Sequence, residues 1–283
     1  MERIKDYKKL KEEAIEWLRK WFDENGKGCN AIVGLSGGKD STIVAKLCAE
    51  ALGPDRVIGV SMPDENQDEN NAKEIAEDFG IHYMVMPIDK ITKQFKDVSY
   101  FYLKDKVSVQ SIQNLPPRVR MTMLYFIAQN YNGRVIGTCN ASENYIGYFT
   151  KFGDGASDCE PLGRLTVTEV KKLGHELGIR NEWVERTPDD GLPESKPDEE
   201  KFGFTYEMLD KYICDYNTNE VPDEIKEKID KMHDRSLFKT KVTDSIDTFF
   251  PEDIMEFEFG PLDSYQEFIE DIDDYIAREF PRF

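Results

Sequence analysis

Residues 36–41, with the sequence Ser-Gly-Gly-Lys-Asp-Ser, combine residue types that suit the binding of a phosphate chain. The apolar residues 31–35 before them are typical of a buried strand, and helix-spaced apolar residues follow from Thr42 until Gly53 and Pro54. Glycines let the backbone approach a ligand closely, and the free N–H groups and dipole of a helix N-terminus favour negative charge. This pattern predicts a phosphate-binding turn between a strand and a helix.

The spacing excludes two common nucleotide-binding motifs. The sequence lacks the Gly-x4-Gly-Lys-Ser/Thr loop, and Gly34, Gly37 and Gly38 do not form Gly-x-Gly-x-x-Gly. Two alternatives remain: a glycine-rich turn that binds no ligand, and a helix-capping role for Asp40 and Ser41. The combination of two serines, two glycines and an aspartate at a strand-to-helix switch favours a phosphate site.

The elements around this turn alternate between strands and helices. Residues 55–62, 81–88 and 134–138 form further apolar runs of strand type, separated by helical patterns. Such alternation is typical of an α/β, Rossmann-like, three-layer α/β/α fold with a mostly parallel sheet. Ligands of such folds bind at the carboxyl ends of the strands, so Thr138 should lie at the same sheet edge as the turn.

The remaining pattern predicts additional helices and loops. Helices are expected over 7–21, 73–79, from Pro116 to about Asn132, and over 168–177, 206–216 and 222–233, with polar loops over 64–71 and 187–204. An acidic, aromatic tail occupies residues 242–283, where residues 265–276 have helical spacing. We interpret residues 1–283 as a single domain with an acidic C-terminal extension over 242–283.

Composition limits the classes of partner. The net charge of the 283 residues is −19, which disfavours binding to nucleic acid and to anionic membranes. Neither a membrane span nor a signal peptide is evident. The five cysteines show neither a disulfide framework nor zinc-ligand spacing, which suggests reduced thiols in the cytoplasm.

Residues 36–41 resemble the pyrophosphate loop of the ATP pyrophosphatase superfamily, whose members cleave ATP between the α and β phosphates. Residues 137–143, Gly-Thr-Cys-Asn-Ala-Ser-Glu, and 147–158, Gly-Tyr-Phe-Thr-Lys-Phe-Gly-Asp-Gly-Ala-Ser-Asp, resemble ammonia-dependent NAD synthetase within that superfamily. Residues 118–121 and 187–192 fit the same family. The resemblance extends over roughly residues 15–240.

The resemblance implies ATP-dependent amidation of nicotinate adenine dinucleotide (deamido-NAD) to NAD with free ammonia. The reaction passes through an adenylate and releases AMP and pyrophosphate. Nothing in the chain looks like a glutamine-hydrolysing domain, and we expect no room for one beside the synthetase domain. The resemblance further implies a homodimer and a cytoplasmic enzyme.

The family's motifs also imply roles for residues of this sequence. Asp40 and Ser36 would be catalytic, and Asp40 and Glu143 would bind Mg²⁺. Deamido-NAD would contact Arg118, Lys151, Asp158 and His233. The residues expected to contact ATP are Gly34, Leu35, Ser36, Gly37, Gly38, Lys39, Asp40, Ser41, Thr138 and Asp189.

Several of these positions have other readings. Arg118 could pair with a surface acid, and Glu143 could be a solvated loop carboxylate. One of Tyr145, Tyr148 and Phe149 could stack on the nicotinate ring, and each could equally be a core residue; the sequence does not decide which.

Three positions depart from the family pattern. Val167 stands in place of a lysine, Asp189 in place of Thr or Ser, and Asp234 in place of a lysine. Each change removes a cation or adds an anion near the phosphates, which should weaken ATP binding at constant geometry unless Lys171, Lys172, Arg235 or Lys239 compensates. Two alternatives to the synthetase therefore stay open: another adenylating ligase of the superfamily, and a nucleotide sensor that has lost catalysis.

Overall fold

A parallel four-stranded sheet is the centre of the computed structural model, which describes residues 3–65, 70–186, 197–214 and 218–240. The strands are β1 (Asn30–Gly34), β2 (Val57–Ser61), β3 (His82–Val85) and β4 (Gly133–Ile136). Their order in the sheet is β3-β2-β1-β4, and all pairings are parallel. Ile32 of β1 lies opposite Ile58 of β2 and Val135 of β4.

The strand order reverses beside β1. The chain moves outward in one direction from β1 to β2 and β3, and then returns to place β4 on the other side of β1. In an open parallel sheet, the reversal leaves a crevice at the carboxyl ends of the two strands that flank it. The segments after β1 and after β4 therefore meet at this crevice.

The helices flank the sheet, and in the chain they lie before β1, between the strands and after β4. They are α1 (Tyr7–Asn25), α2 (Lys39–Leu52), α3 (Asn70–Phe79), α4 (Asp89–Leu103), α5 (Val109–Gln113), α6 (Leu115–Asn130), α7 (Ala141–Ile146), α8 (Val167–Glu176), α9 (Asn181–Val184), α10 (Asp198–Phe202), α11 (Tyr206–Ile213) and α12 (Asp223–Thr240). None of the helices in the described ranges is long and apolar enough to cross a membrane.

Two apolar clusters cover the two faces of the sheet. Val33 of β1 packs on one face with α1, α2 and α8, while its neighbour Ile32 packs on the opposite face with α6. Both side chains are fully buried, as expected for a parallel strand covered on both sides. The predicted three-layer α/β/α fold with a parallel sheet is thereby confirmed.

A third apolar cluster lies beside the sheet and supports α7. It joins Ile146 of α7 to Phe202 of α10, Leu209 of α11 and Ile229 of α12. These helices contact one another through large aliphatic and aromatic side chains, so α7 is fixed by packing as well as by its attachment to β4.

The structure corrects several predicted boundaries. The strands are shorter than the apolar runs, and α2 begins at Lys39 instead of Thr42. Helix α4 was not predicted, although Ile91, Phe95 and Val98 have helical spacing in the sequence. In the structure these three side chains are exposed and do not join the core.

Two predicted loops also differ. Helix α10 lies within the range 187–204, and residues 187–196 are outside the described part of the chain. Asp64, expected in an exposed loop, is buried and accepts a hydrogen bond from the hydroxyl of Thr92 at 2.7 Å. The tail over 242–283 and its expected helix lie outside the described residues.

A buried carboxylate joins three helices next to the crevice. Asp210 of α11 is fully buried, and its Oδ1 accepts from the hydroxyl of Ser142 in α7 at 2.5 Å. Its Oδ2 accepts from the backbone N–H of Thr168 in α8 at 2.8 Å. Ser142 Oγ in turn accepts from the N–H of Val167 at 3.0 Å. Burial raises the pKa of Asp210, while these hydrogen bonds oppose the shift.

Replacing Asp210 by alanine should therefore destabilise the fold. The variant leaves the donors at Ser142 and Thr168 buried without their acceptor, which should lower the free energy of unfolding by about 2 kcal/mol or more. Urea denaturation measures this change. Glu207→Ala is the matched control, since Glu207 lies on the same helix and pairs with Lys211 at the surface. An unfolding midpoint for Asp210→Ala equal to that of the control would contradict the assignment.

Candidate functional site

A pocket opens at the crevice where the strand order reverses. Its volume is about 210 Å³. The segment after β1 and the segment after β4 both contribute to its walls, as the topology requires. The lining residues are Ser36, Gly38, Asp40, Ser41, Thr138, Cys139, Glu143, Tyr148 and Asp154. The structure thus brings together the predicted turn, Thr138 and Glu143.

The turn after β1 is held by short-range hydrogen bonds. Gly37 has a φ of +78°, in the left-handed region that favours glycine. Ser36 Oγ lies 3.1 Å from Ser41 Oγ and accepts from the N–H of Gly38 at 3.2 Å. Ser41 Oγ donates to the carbonyl of Gly38 at 3.0 Å. These bonds fix the loop that carries the predicted phosphate site.

The N-terminus of α2 points its free amides toward this loop. Gly38 is the N-cap, so no side chain at that position accepts a hydrogen bond from the first-turn amides. Asp40 and Ser41 lie inside the helix, so neither occupies the N-cap position. An N-terminus of this kind is an anion site, because its amides and its dipole favour negative charge.

Lys39 is turned into the protein interior, away from the pocket lining. Its Nζ lies 2.6 Å from Asp40 Oδ2, and its side chain is only 2% exposed. Burial acts to lower the pKa of Lys39, but the carboxylates of Asp40 and Glu143 outweigh it, and the pKa is raised. The other oxygen of Asp40 accepts from Asn140 Nδ2 at 3.3 Å.

Glu143 is placed by a capping box at the start of α7. Asn140 Oδ1 accepts from the N–H of Glu143 at 3.1 Å, and Glu143 Oε2 accepts from the N–H of Asn140 at 3.3 Å. Burial, together with the negative charge of Asp40, raises the pKa of Glu143 to about 8. Glu143 is therefore a structurally fixed carboxyl group beside Asp40 and not a solvated loop residue.

Two neighbouring carboxylates are a donor set that suits Mg²⁺. Mg²⁺ is usually held by one or two carboxylates, and phosphates and waters complete its octahedron. Within the described ranges, no group of three or more His, Cys, Asp or Glu side chains is arranged to hold a metal ion. Asp40 and Glu143 therefore suit a metal that arrives with phosphate oxygens and do not suit a closed structural site.

Arg118 and Lys151, two of the predicted dinucleotide contacts, are neighbours. Arg118 is exposed, and its Nε donates to the carbonyl of Lys151 at 3.3 Å. Lys151 Nζ donates to the carbonyl of Phe238 at 2.7 Å and lies over the rings of Phe152 and Phe238. The pair forms a small cationic surface next to the aromatic segment after α7.

Asp158 and His233 lie outside this cationic surface, and their side chains form hydrogen bonds with other groups of the protein. Asp158 accepts from the N–H of Val135 at 2.7 Å and from the hydroxyl of Tyr125 at 3.2 Å, which places it beside β4. His233 Nδ1 lies 2.8 Å from the carbonyl of Tyr145, and the two rings stack with centroids 4.2 Å apart. Neither residue lines the pocket.

The three candidate stacking aromatics occupy different environments. Tyr145 stacks on His233, and Phe149 is buried with Lys239 Nζ 5.3 Å from its ring. Tyr148 lines the pocket, and its hydroxyl donates to Asp198 Oδ1 at 2.7 Å. Of the three rings, Tyr148 is the one at the pocket.

The departures from the family pattern fall in contrasting places. Val167 is buried in the cluster around α7, whereas Asp234 is exposed on α12. Asp189 lies outside the described residues. Among the cations named as able to compensate, Lys171 pairs with Glu185 at 2.8 Å, and Lys239 donates to the carbonyls of Gly147 and Phe149 at 2.8 Å.

Three residues at or near the pocket were given no role from the sequence: Arg186, Asp154 and Asp198. Arg186 Nη1 donates to the carbonyl of Gly37 at 3.2 Å. Asp154 lines the pocket, and Asp198 accepts from Tyr148. The Asn-x-x-Glu spacing at Asn140 is a recognisable capping signal, but no local pattern indicates that Arg186 reaches Gly37.

Comparison with known proteins decides the family. The sequence model of a family described as NAD synthase matches residues 10–243. The chain belongs to the NAD synthase family. The resemblance predicted from the sequence is confirmed.

Named relatives support this membership. The NH(3)-dependent NAD(+) synthetase of Methanocaldococcus jannaschii is 41% identical over 220 residues, which cover 76% of this chain and 85% of the relative. The NMN synthetase of Francisella tularensis has a similar structure, with a TM-score of 0.78 and 30% identity over 86% of this chain and 100% of that chain. An NH3-dependent NAD synthetase from Campylobacter jejuni gives a TM-score of 0.70 at 25% identity, with the same coverage.

The raised pKa of Glu143 predicts a pH-dependent stability. The ordinary pKa of a glutamate is 4.5, so between about pH 4.5 and about pH 8 the folded state holds a proton that the unfolded state releases. Glu143 therefore stabilises the fold fully below about pH 4.5, and this contribution is lost as the pH rises toward 8. Thermal midpoints measured in EDTA across this range should fall with pH.

Glu143→Gln is the matched variant for this experiment, because it keeps the side-chain shape and cannot ionise. Its thermal midpoint should fall less steeply over the same pH range. Parallel curves for the wild type and the variant would contradict the raised pKa.

Proposed function

We propose that this chain is a ligase that converts deamido-NAD to NAD with ATP and free ammonia and releases AMP and pyrophosphate. The observation that carries the proposal is the meeting of the Ser-Gly-Gly-Lys-Asp-Ser turn with Thr138 and Glu143 at the reversal of strand order, in a chain of the NAD synthase family. The names of the M. jannaschii and C. jejuni relatives agree with this activity.

The first step transfers AMP to the nicotinate carboxylate. A carboxylate oxygen of deamido-NAD attacks the α-phosphorus of ATP, and the bond to the β-phosphate oxygen breaks to release pyrophosphate. Such transfer depends on positioning and charge neutralisation more than on a protein nucleophile. Residues 34–41 would supply backbone N–H groups at the start of α2, and the exposed hydroxyl of Ser36 would add a donor to the phosphates.

The second step forms the amide. Ammonia attacks the carbonyl carbon of the adenylate, the bond to the AMP oxygen breaks, and a proton leaves the nitrogen. Adenylation makes this step feasible because AMP is a far better leaving group than oxide. Thr138 lines the pocket beside the turn and would contact ATP during both steps.

Asp40 and Glu143 would hold Mg²⁺, which neutralises the phosphate charge when bound. Two carboxylates leave most of the coordination sphere to phosphate and water oxygens, as Mg²⁺ prefers. Asp189 stays a candidate ATP contact by resemblance alone.

The dinucleotide would bind along the cationic pair of Arg118 and Lys151. Two cations that face a pyrophosphate suit a chain with a net charge of −19. Tyr148, which lines the pocket, would stack on the nicotinate ring. Asp158 and His233 would contact the dinucleotide at the edges of its binding region, where Asp158 is held beside β4 and His233 beside Tyr145.

A second candidate substrate is nicotinate mononucleotide, because the similar structure from F. tularensis carries the name NMN synthetase. The chemistry at the carboxylate would be the same, and the adenylate half of the dinucleotide would be absent. Parallel assays with the two nicotinate substrates separate these candidates.

The central prediction is ammonium-dependent NAD formation by the full chain. With ATP, Mg²⁺, ammonium and deamido-NAD, NAD and pyrophosphate should appear in equal amounts, and Asp40→Ala should reduce the rate at least ~100-fold. Asp55→Ala, an exposed aspartate just after α2, is the control and should retain activity. ATP binding without pyrophosphate release would contradict the proposal and support a nucleotide sensor.

We further propose a homodimer built on α4 and α6. These two helices contact each other and expose large apolar side chains, including Phe101 at 72% and Phe126 at 63%. Large apolar side chains that are exposed together on neighbouring helices are typical of protein association sites. A homodimer would also remove the exposed aromatic side chains of α4 from water.

Light scattering after size exclusion tests this arrangement. The wild type should have twice the chain mass of 32.8 kDa. Phe101→Glu should give the mass of one chain, because burying a carboxylate in an apolar interface is costly. Trp17→Glu on α1 is the control and should leave the mass unchanged. A wild type of single-chain mass would contradict the homodimer.

We also propose a cytoplasmic location and a single catalytic domain with an acidic extension over residues 242–283. The five cysteines are free thiols, which suits a reducing compartment.

A further inference from the structure

Lys39 occupies an unusual place for a lysine of a phosphate-binding turn. Its backbone belongs to the loop, but its ammonium group points inward and contacts Asp40 at 2.6 Å. Lys39 is the only buried lysine in the described part of the chain. An ammonium group is rarely buried to this extent unless it neutralises nearby carboxylates.

The charges around Lys39 belong to the proposed metal site. Asp40 and Glu143 both act on its ammonium group, and Asp198 adds a weaker attraction. Asp198 is already engaged by the hydroxyl of Tyr148 and by Lys201 Nζ. Lys39 is therefore the internal counter-ion of the two carboxylates that would hold Mg²⁺.

A lysine in this position has two consequences for a metal ion. It relieves the repulsion between Asp40 and Glu143, so the two carboxyl groups can lie close together before a metal arrives. It also competes with the metal, because the ammonium group and Mg²⁺ are both attracted to the same Asp40 oxygen and repel each other. Only added negative charge at the site can offset this repulsion, and the phosphates of ATP supply that charge.

We propose that Lys39 makes metal binding at Asp40 and Glu143 depend on the nucleotide: it keeps the divalent cation weakly bound until ATP is present. This inference rests on the proposed function, since it uses the proposed metal ligands. It assigns Lys39 a positioning and ordering role, distinct from the direct phosphate contact that the family resemblance implies.

The test measures Mn²⁺ binding to the full-length protein by electron paramagnetic resonance, with and without α,β-methylene-ATP. The wild type should bind Mn²⁺ weakly alone and much more tightly with the nucleotide analogue. Lys39→Met removes the charge and keeps the side-chain length, so it should bind Mn²⁺ at least about tenfold more tightly in the absence of nucleotide. Lys46→Met is the matched control, because Lys46 lies on the same helix and pairs with Glu50 at 2.7 Å.

The nucleotide-free Mn²⁺ affinities of the variants decide whether the inference holds. Unchanged or weaker nucleotide-free Mn²⁺ binding in Lys39→Met would overturn the inference, as would equal gains in the Lys46→Met control. Asp40→Ala separates this failure from failure of the metal site itself. If Asp40→Ala retains wild-type Mn²⁺ affinity, the proposed ligands are wrong; if it loses Mn²⁺ while Lys39→Met changes nothing, only the role of Lys39 is wrong.

A measurement on the wild type gives the same answer if a variant does not fold. Nitrogen-15 NMR detects buried lysine ammonium groups, because they exchange slowly with water. Diamagnetic Mg²⁺ added with the nucleotide analogue should shift the signal of Lys39, since the ammonium group must move away from Asp40. An unchanged signal at metal saturation would overturn the inference.

Discussion

The parallel pairing of β1 with β4 is the constraint on which the site depends. Because β4 returns to the opposite side of β1 from β2, the segments after β1 and β4 leave the sheet at the same edge and in the same direction. The turn after β1 and helix α7 are therefore held face to face by the backbone hydrogen bonds between β1 and β4. Asp40 and Glu143 are far apart in sequence, and this strand pairing is what makes them neighbours.

The second constraint is the cost of placing two half-buried carboxyl groups close together. The protein meets it in part by protonation, since the pKa of Glu143 is raised to about 8, and in part by the buried ammonium group of Lys39. The capping box at Asn140 and the hydrogen bonds of Ser142 to Asp210 then hold α7 in place. The carboxyl groups of Asp40 and Glu143 therefore lie close together in spite of their like charge, and α7 holds Glu143 in a fixed position. Such an arrangement suits the binding of a divalent cation.

The sequence was informative wherever a local pattern determines structure. Residues 31–35 read as a buried strand because both faces of β1 are covered, and the turn after them follows from its two glycines and its serines. Thr138 could be placed at the sheet edge because carboxyl ends of parallel strands share that edge. Family motifs then supplied the proposed metal-binding role of Glu143, because its Asn-x-x-Glu spacing alone indicates only a helix cap.

Other features depend on contacts that no local pattern records. The exposure of the apolar side chains of α4 depends on the tertiary fold, and so does the burial of Asp64 against Thr92. From polarity alone, the side chain of Lys39 is expected at the surface. In the structure it is buried, and its ammonium group contacts Asp40. The reach of Arg186 to Gly37 likewise follows from the tertiary fold.

The most direct test of the account follows an oxygen atom through the reaction. Deamido-NAD labelled with ¹⁸O in its nicotinate carboxylate is converted with ATP and ammonium, and the AMP and pyrophosphate are analysed by mass spectrometry. If the crevice between β1 and β4 adenylates the carboxylate, one labelled oxygen appears in AMP and none in pyrophosphate. Label in pyrophosphate, or unlabelled AMP alongside NAD formation, would contradict attack at the α-phosphorus and with it the assigned role of this site.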